Sequence, residues 1–147
     1  MTSPKTSDGH DLIARAERLM ERLELVLPAP AAPTDWKAAT AWRWRKRGTK
    51  GYLQPILQPH RIRLDDLCGI DAQKRLVEQN TRQFVQGLPA NNVLLTGARG
   101  TGKSSLVKAL LNKYAPRALR LIEVEKHDLL DLSDIVDQVG SRPERFI

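Results

Sequence analysis

Eight consecutive residues, Gly97-Ala-Arg-Gly-Thr-Gly-Lys-Ser104, leave this chain few folds to choose from. They match G-x-x-x-x-G-K-[S/T] at every fixed position. At an ordinary glycine frequency of about 7%, a chain this long would match by chance roughly once in two hundred. The motif works only between a strand and a helix, and both flanks have that pattern. Asn92-Val-Leu-Leu-Thr96 is short, apolar and partly β-branched, as a buried parallel strand is. From Thr101 to Tyr114, Leu106, Ala109, Leu110 and Lys113 recur at helical steps. Leu119 to Val124 then reads as a second strand, and Ser133 to Val139 as a helix using Ile135, Val136 and Val139. Arg145-Phe-Ile147 opens a third strand. Alternating strands and helices predict an α/β fold with an incomplete parallel P-loop sheet. Three strands covered on one side would be marginal alone.

The residue types in the loop suit a polyphosphate. Glycines at Gly97, Gly100 and Gly102 permit backbone angles that other residues avoid, so successive N–H groups can turn inward around an anion. The helix that follows aims its positive end and free N–H groups at the same place. Lys103 supplies a mobile cation, and Ser104 a hydroxyl for Mg²⁺, which prefers hard oxygen ligands. The loop therefore predicts binding of ATP with Mg²⁺ through Gly97, Ala98, Arg99, Gly100, Thr101, Gly102, Lys103, Ser104 and Ser105. Lys103 is the phosphate contact, and no residue is assigned to catalysis.

Upstream the chain changes character twice. Between Asp11 and Leu27, Leu12, Ala16, Leu19, Met20, Leu23, Val26 and Leu27 mark one face of a helix, capped by Ser7 or Asp8 and stopped by Pro28. Its apolar face is expected to dock on the core. Pro28 to Pro33 reads as an extended linker. Residues 34–63 form a basic arm: Trp36, Trp42, Trp44 and Tyr52 lie among Arg43, Arg45, Lys46, Arg47, Lys50, Arg61 and Arg63, with no acid between Trp42 and Leu64. Rings interleaved with cations suit a single-stranded nucleic acid. No nucleic-acid-binding signature accompanies them, so the preferred reading is an arm whose tryptophans pack on the domain. A further helix is expected from Asp71, as N-cap, to Gly87, with Leu76, Val77, Asn80, Phe84 and Leu88 on one face.

The 24 basic and 17 acidic residues leave a net charge of +7, which favours polyanions without choosing among them. The single cysteine, Cys68, excludes an intrachain disulfide and fits a reducing compartment; its apolar neighbours suggest burial. Neither a secretory signal nor a membrane-spanning run is legible, so a soluble cytoplasmic protein is expected.

With these residues in place, a resemblance is visible. Leu64-Asp-Asp-Leu-Cys-Gly-Ile-Asp-Ala-Gln-Lys74, a helix, and Val93-Leu-Leu-Thr-Gly-Ala-Arg-Gly-Thr-Gly-Lys-Ser-Ser105 resemble the start of an AAA+ ATPase module. Trp42-Arg-Trp-Arg45, Gly51-Tyr-Leu53, Ile62-Arg-Leu-Asp-Asp66, Leu88 to Leu95 and Arg142 to Ile147 look like a bacterial ATP-binding AAA+ family of unknown function. The resemblance implies that Gly69 and Ile70 pack against adenine. It also implies a ring-forming ATP hydrolase that drives movement of a partner. In that superfamily an acidic pair follows at the end of the third strand. The chain stops at Ile147, before that position, and Asp128, Asp131, Asp134 and Asp137 lie in polar or helical stretches instead. It therefore looks like the N-terminal part of such an ATPase, 64–147 being the start of the nucleotide-binding domain, and should hydrolyse ATP poorly by itself.

Two other readings compete. One is a basic nucleic-acid-binding module whose function lies in the arm at 42–63. The other is a small P-loop kinase or GTPase, which the second strand, Arg120 to Glu125, resembles less than it resembles an AAA+ strand. No membrane partner is expected.

Overall fold

A computed structural model describes residues 7–26, 32–48 and 50–147. The chain divides into two compact units, Met1–Pro33 and Thr34–Ile147. Among its described residues the first holds the helix α1, over Ser7–Val26. Ser7 and Asp8, expected as caps, are its first helical residues. The expected last apolar position, Leu27, and linker residues 28–31 lie outside the described residues. Leu12, Ile13, Leu19, Met20 and Leu23 are all more than half exposed.

In the second unit the elements run β1 (Ala41–Arg47), β2 (Lys50–Pro55), α2 (Asp71–Val85), α3 (Lys103–Tyr114), β3 (Leu119–Glu123), α4 (Leu132–Val139) and β4 (Arg145–Phe146). Short 3₁₀ turns cover Leu64–Asp66, Ala115–Arg117 and Lys126–Asp131. The four strands form one sheet in the order β2-β1-β3-β4. β1 and β2 pair antiparallel, with Trp44 opposite Leu53, whereas β1–β3 and β3–β4 are parallel.

This mixed sheet corrects the all-parallel, three-strand expectation in two ways. The stretch read as an arm supplies two strands. Its residues alternate in the period-two manner of a half-buried hairpin, with Trp42, Trp44 and Leu53 inward. Conversely, Asn92–Thr96 joins no ladder, and Val93 and Leu94 are 48% and 85% exposed. A short apolar run becomes a strand only where another strand takes its backbone hydrogen bonds, and none pairs with it here.

Both faces of the sheet are covered, not one. On one face Ala41, Leu119 and Leu121 pack with Leu67 and with Leu106, Ala109, Leu110, Leu111 and Tyr114 of α3, while Val77, Phe84 and Val85 of α2 close the edge. On the other, Trp42 and Trp44 pack with Leu53 and Ile135 of α4. Truncating a buried tryptophan costs about 3–5 kcal/mol, so this second cluster is a main anchor of α4.

Smaller expectations shift as well. Leu76 and Leu88, placed on the inward face of α2, are 70% and 53% exposed. α2 has Ile70 at its N-cap with no side-chain bond, so Asp71 is not the cap. It instead pairs with Lys74 one turn on, at 3.0 Å. Cys68 is exposed although Leu67 beside it is buried, because the chain emerges there toward Gly69 at φ 75°.

Candidate functional site

The loop opens directly into α3. Gly102 caps the helix in the left-handed region at φ 82°, and makes no side-chain bond to the first turn. Gly97 and Gly100 also have positive φ, at 139° and 87°. Three such residues in six positions bend the backbone sharply, as the glycine spacing anticipates. At Gly97 space is limiting too: a Cβ there would lie 3.3 Å from the Thr101 hydroxyl oxygen.

Lys103 turns back over the loop. Its ammonium donates to the carbonyl oxygens of Gly97 (2.8 Å) and Ala98 (2.6 Å) and to Thr101 Oγ1 (3.2 Å). The Thr101 hydroxyl donates to Ala98 O at 2.9 Å. The cation thus sits at the hollow of the loop, beside the unbonded first-turn amides of α3. Positive charge and N–H dipoles concentrated in one place attract an anion with several oxygens.

Two clefts flank the loop. The first, about 420 Å³, is lined by Thr96, Gly97, Thr101, Gly102 and Lys103 together with Ile70, Gln73, Leu94, Leu95 and Leu106. Ile70, expected at an adenine pocket, is therefore brought to the loop; Gly69 does not line the cleft. Lys74 fixes this corner by donating to Leu64 O (3.1 Å) and Leu67 O (2.7 Å), which ties α2 to the turn before Ile70. Asn80 clamps the other approach, since its amide donates to Asn91 O (2.7 Å) and accepts from Asn91 N–H (2.8 Å). The second cleft, about 600 Å³, joins Ser104 to Arg43, Lys108, Glu123 and Glu125. Arg99 and Gly100 are exposed, and Ser105 is half-buried at the start of α3.

Sequence reasoning missed Gln73, which sits three residues after Ile70, one helical turn along. It also missed Arg43 and Glu123 beside Ser104. No local signal reveals these, because the two lie 80 positions apart in the chain. Arg43 donates to Glu123 at 2.7 Å, Arg45 pairs with Glu125 at 2.8 Å, and Lys46 with Asp131 at 2.8 Å. Arg47 lies over the Tyr52 ring, 5.6 Å from its centroid. Asp131 is held below the usual carboxylate range by the hydrogen bond from Lys46, then by that from Trp44. It belongs to the α4 side of the sheet, away from Ser104. Among the described residues no cluster of three or more His, Cys, Asp or Glu side chains is arranged to hold a metal. Among them, too, no helix is long and apolar enough to cross a membrane.

An α/β protein with a tight glycine loop at the head of a buried helix is the class that these elements define. The chain belongs to the family described as protein of unknown function DUF815, which matches residues 37–147. That span takes in the hairpin, the loop and all four strands. No solved structure matches the chain.

Proposed function

We propose that the loop Gly97–Ser104 binds the triphosphate of ATP together with Mg²⁺, in the manner of an AAA+ P-loop. The single observation behind this reading is the position of Lys103. Its ammonium donates to the carbonyl oxygens of Gly97 and Ala98 in the loop before α3, and Lys103 borders a cleft that Ile70 also lines. The fit is chemical: a mobile cation and unbonded helix N–H groups meet phosphate oxygens, and the Ser104 hydroxyl offers a hard ligand for Mg²⁺. Ile70, Leu94 and Leu95 supply apolar surface for a base. Mg²⁺ would supply charge neutralisation of the phosphates. The protein's own part is to orient the anion on the loop and position the base.

In this reading the chain serves an ATPase that couples hydrolysis to a partner, as a subunit of a cytoplasmic ring. The competing nucleic-acid reading draws less support. Trp42 and Trp44 are 0% and 1% exposed, so no base can stack on them, and three of the arm's cations face acids within the fold.

The test is titration calorimetry with Mg-ATP on the parent and on Lys103→Ala. Hydrogen bonds to charged groups contribute about 1.5–3 kcal/mol, so affinity should fall tenfold or more. Equal affinity in the two proteins sinks the assignment. Competition by GTP separates an adenine-preferring site from a GTPase.

A further inference from the structure

We infer that Gln73 selects adenine over guanine in the cleft beside the loop, an inference that rests on the ATP reading above. Part of that cleft is the loop itself with Thr96 before it. The rest is apolar, Ile70, Leu94, Leu95 and Leu106, save for Gln73. Gln73 lies in the first turn of α2, one helical turn beyond Ile70. Lys74 beside it ties this turn to the carbonyl oxygens of Leu64 and Leu67, so Gln73 is presented from fixed backbone. Thr101 and Lys103 make their bonds within the loop. Among the described residues the Gln73 carboxamide has no hydrogen-bond partner. It is the one side chain of the cleft that carries an acceptor and an N–H donor side by side.

A base held against apolar side chains gives up water at its polar edge and needs a partner there. Adenine offers its 6-amino donor beside a ring-nitrogen acceptor, and a carboxamide meets both at once. Guanine fits less well. Its N7 edge sets two acceptors against the carboxamide oxygen and its one amino group. Its other edge can be met only by reversing the carboxamide, and the 2-amino donor is then left among apolar side chains. A carboxylate at the same position would accept only. It would suit the ring N–H and 2-amino donors of guanine and repel the ring acceptors of adenine. Gln73 is thus a specificity-determining residue, separate from the loop that holds the phosphates.

Calorimetric titration of the full chain tests this, with Mg-ATP, Mg-GTP and magnesium tripolyphosphate as probes of base and phosphates apart. The parent should prefer ATP to GTP by about tenfold, the order expected of one two-bond contact to a base. Gln73→Leu should bring the ratio near one and leave tripolyphosphate binding unchanged. Gln73→Glu should turn the ratio toward GTP. The ratio is read there because a new carboxylate weakens any polyphosphate nearby. Gln73 is exposed on α2, and leucine and glutamate are both good helix formers, so the helix survives each change. A parent that binds ATP and GTP equally overturns the inference alone. So does an ATP preference that persists in Gln73→Leu. A parent that binds neither nucleotide nor tripolyphosphate overturns the ATP reading, and this inference with it.

Discussion

The indole N–H of Trp44 donates to the Asp131 carboxylate at 3.1 Å, joining residues 87 positions apart. The ring itself is buried between β1 and α4, and the bond carries its one polar atom to the rim. A residue that invites a reading as a stacking platform is thereby committed to the interior. Replacing it by phenylalanine keeps most of the apolar contact and removes the donor. Trp44→Phe should lose about 1.5–3 kcal/mol, the range for a bond to a charged group, read from urea unfolding. An unchanged midpoint would deny the bond any weight.

Gly51 lies on β2 under the same ring. A Cβ built there would lie 1.8 Å from Trp44 Cζ2, well inside contact distance. The ring is buried and tied to Asp131 through its indole N–H, which opposes its displacement. Gly51→Ala should cost about 1–3 kcal/mol through overpacking, although alanine is ordinarily the better residue for ordered backbone. A neutral or stabilised variant would mean that the hairpin meets Trp44 differently.

Acid should weaken the contact between α2 and α3. Glu78 of α2 accepts from Lys113 and, at 3.2 Å, from the Tyr114 hydroxyl. The Lys113 bond, the largest influence, holds the Glu78 carboxyl below its ordinary 4.5. A depressed carboxylate binds its proton less readily when folded than when unfolded. Its contribution is therefore complete above about pH 4.5 and is lost as pH falls through the folded value. The gap in urea midpoint between the parent and Glu78→Gln should be open at pH 7 and close toward pH 3. A gap that stays constant would show that the charge contributes nothing.

Cys68, the only cysteine, is exposed. Ellman's reagent should therefore titrate one thiol per chain in native buffer, to the same extent as in urea. A thiol that reacts only after unfolding would return Cys68 to the interior.

The elements carried by local pattern were legible, and they are those whose stability is local. α3 starts within two residues of its expected place because Leu106, Ala109 and Leu110 keep helical spacing. β3 matches to one residue, and the glycines of the loop have the positive φ that their spacing demands. Ile70 lines the cleft beside the loop. The hairpin was illegible because Arg43, Arg45 and Lys46 hide its alternation behind charge. Their acids, Glu123, Glu125 and Asp131, arrive from far along the chain.

The sequence by itself determined the loop, the helix behind it and the apolar stripe of α1, since each follows from spacing within a few turns of chain. Only the tertiary structure decided which runs became strands. Backbone N–H and C=O groups pair where a neighbour lies alongside, so Ala41–Arg47 gained a place in the sheet and Asn92–Thr96 did not. It alone also turned a row of cations and tryptophans into the inner face and rim of a fold. Burial and ion pairing depend on what comes to lie opposite, and that is set by the whole chain.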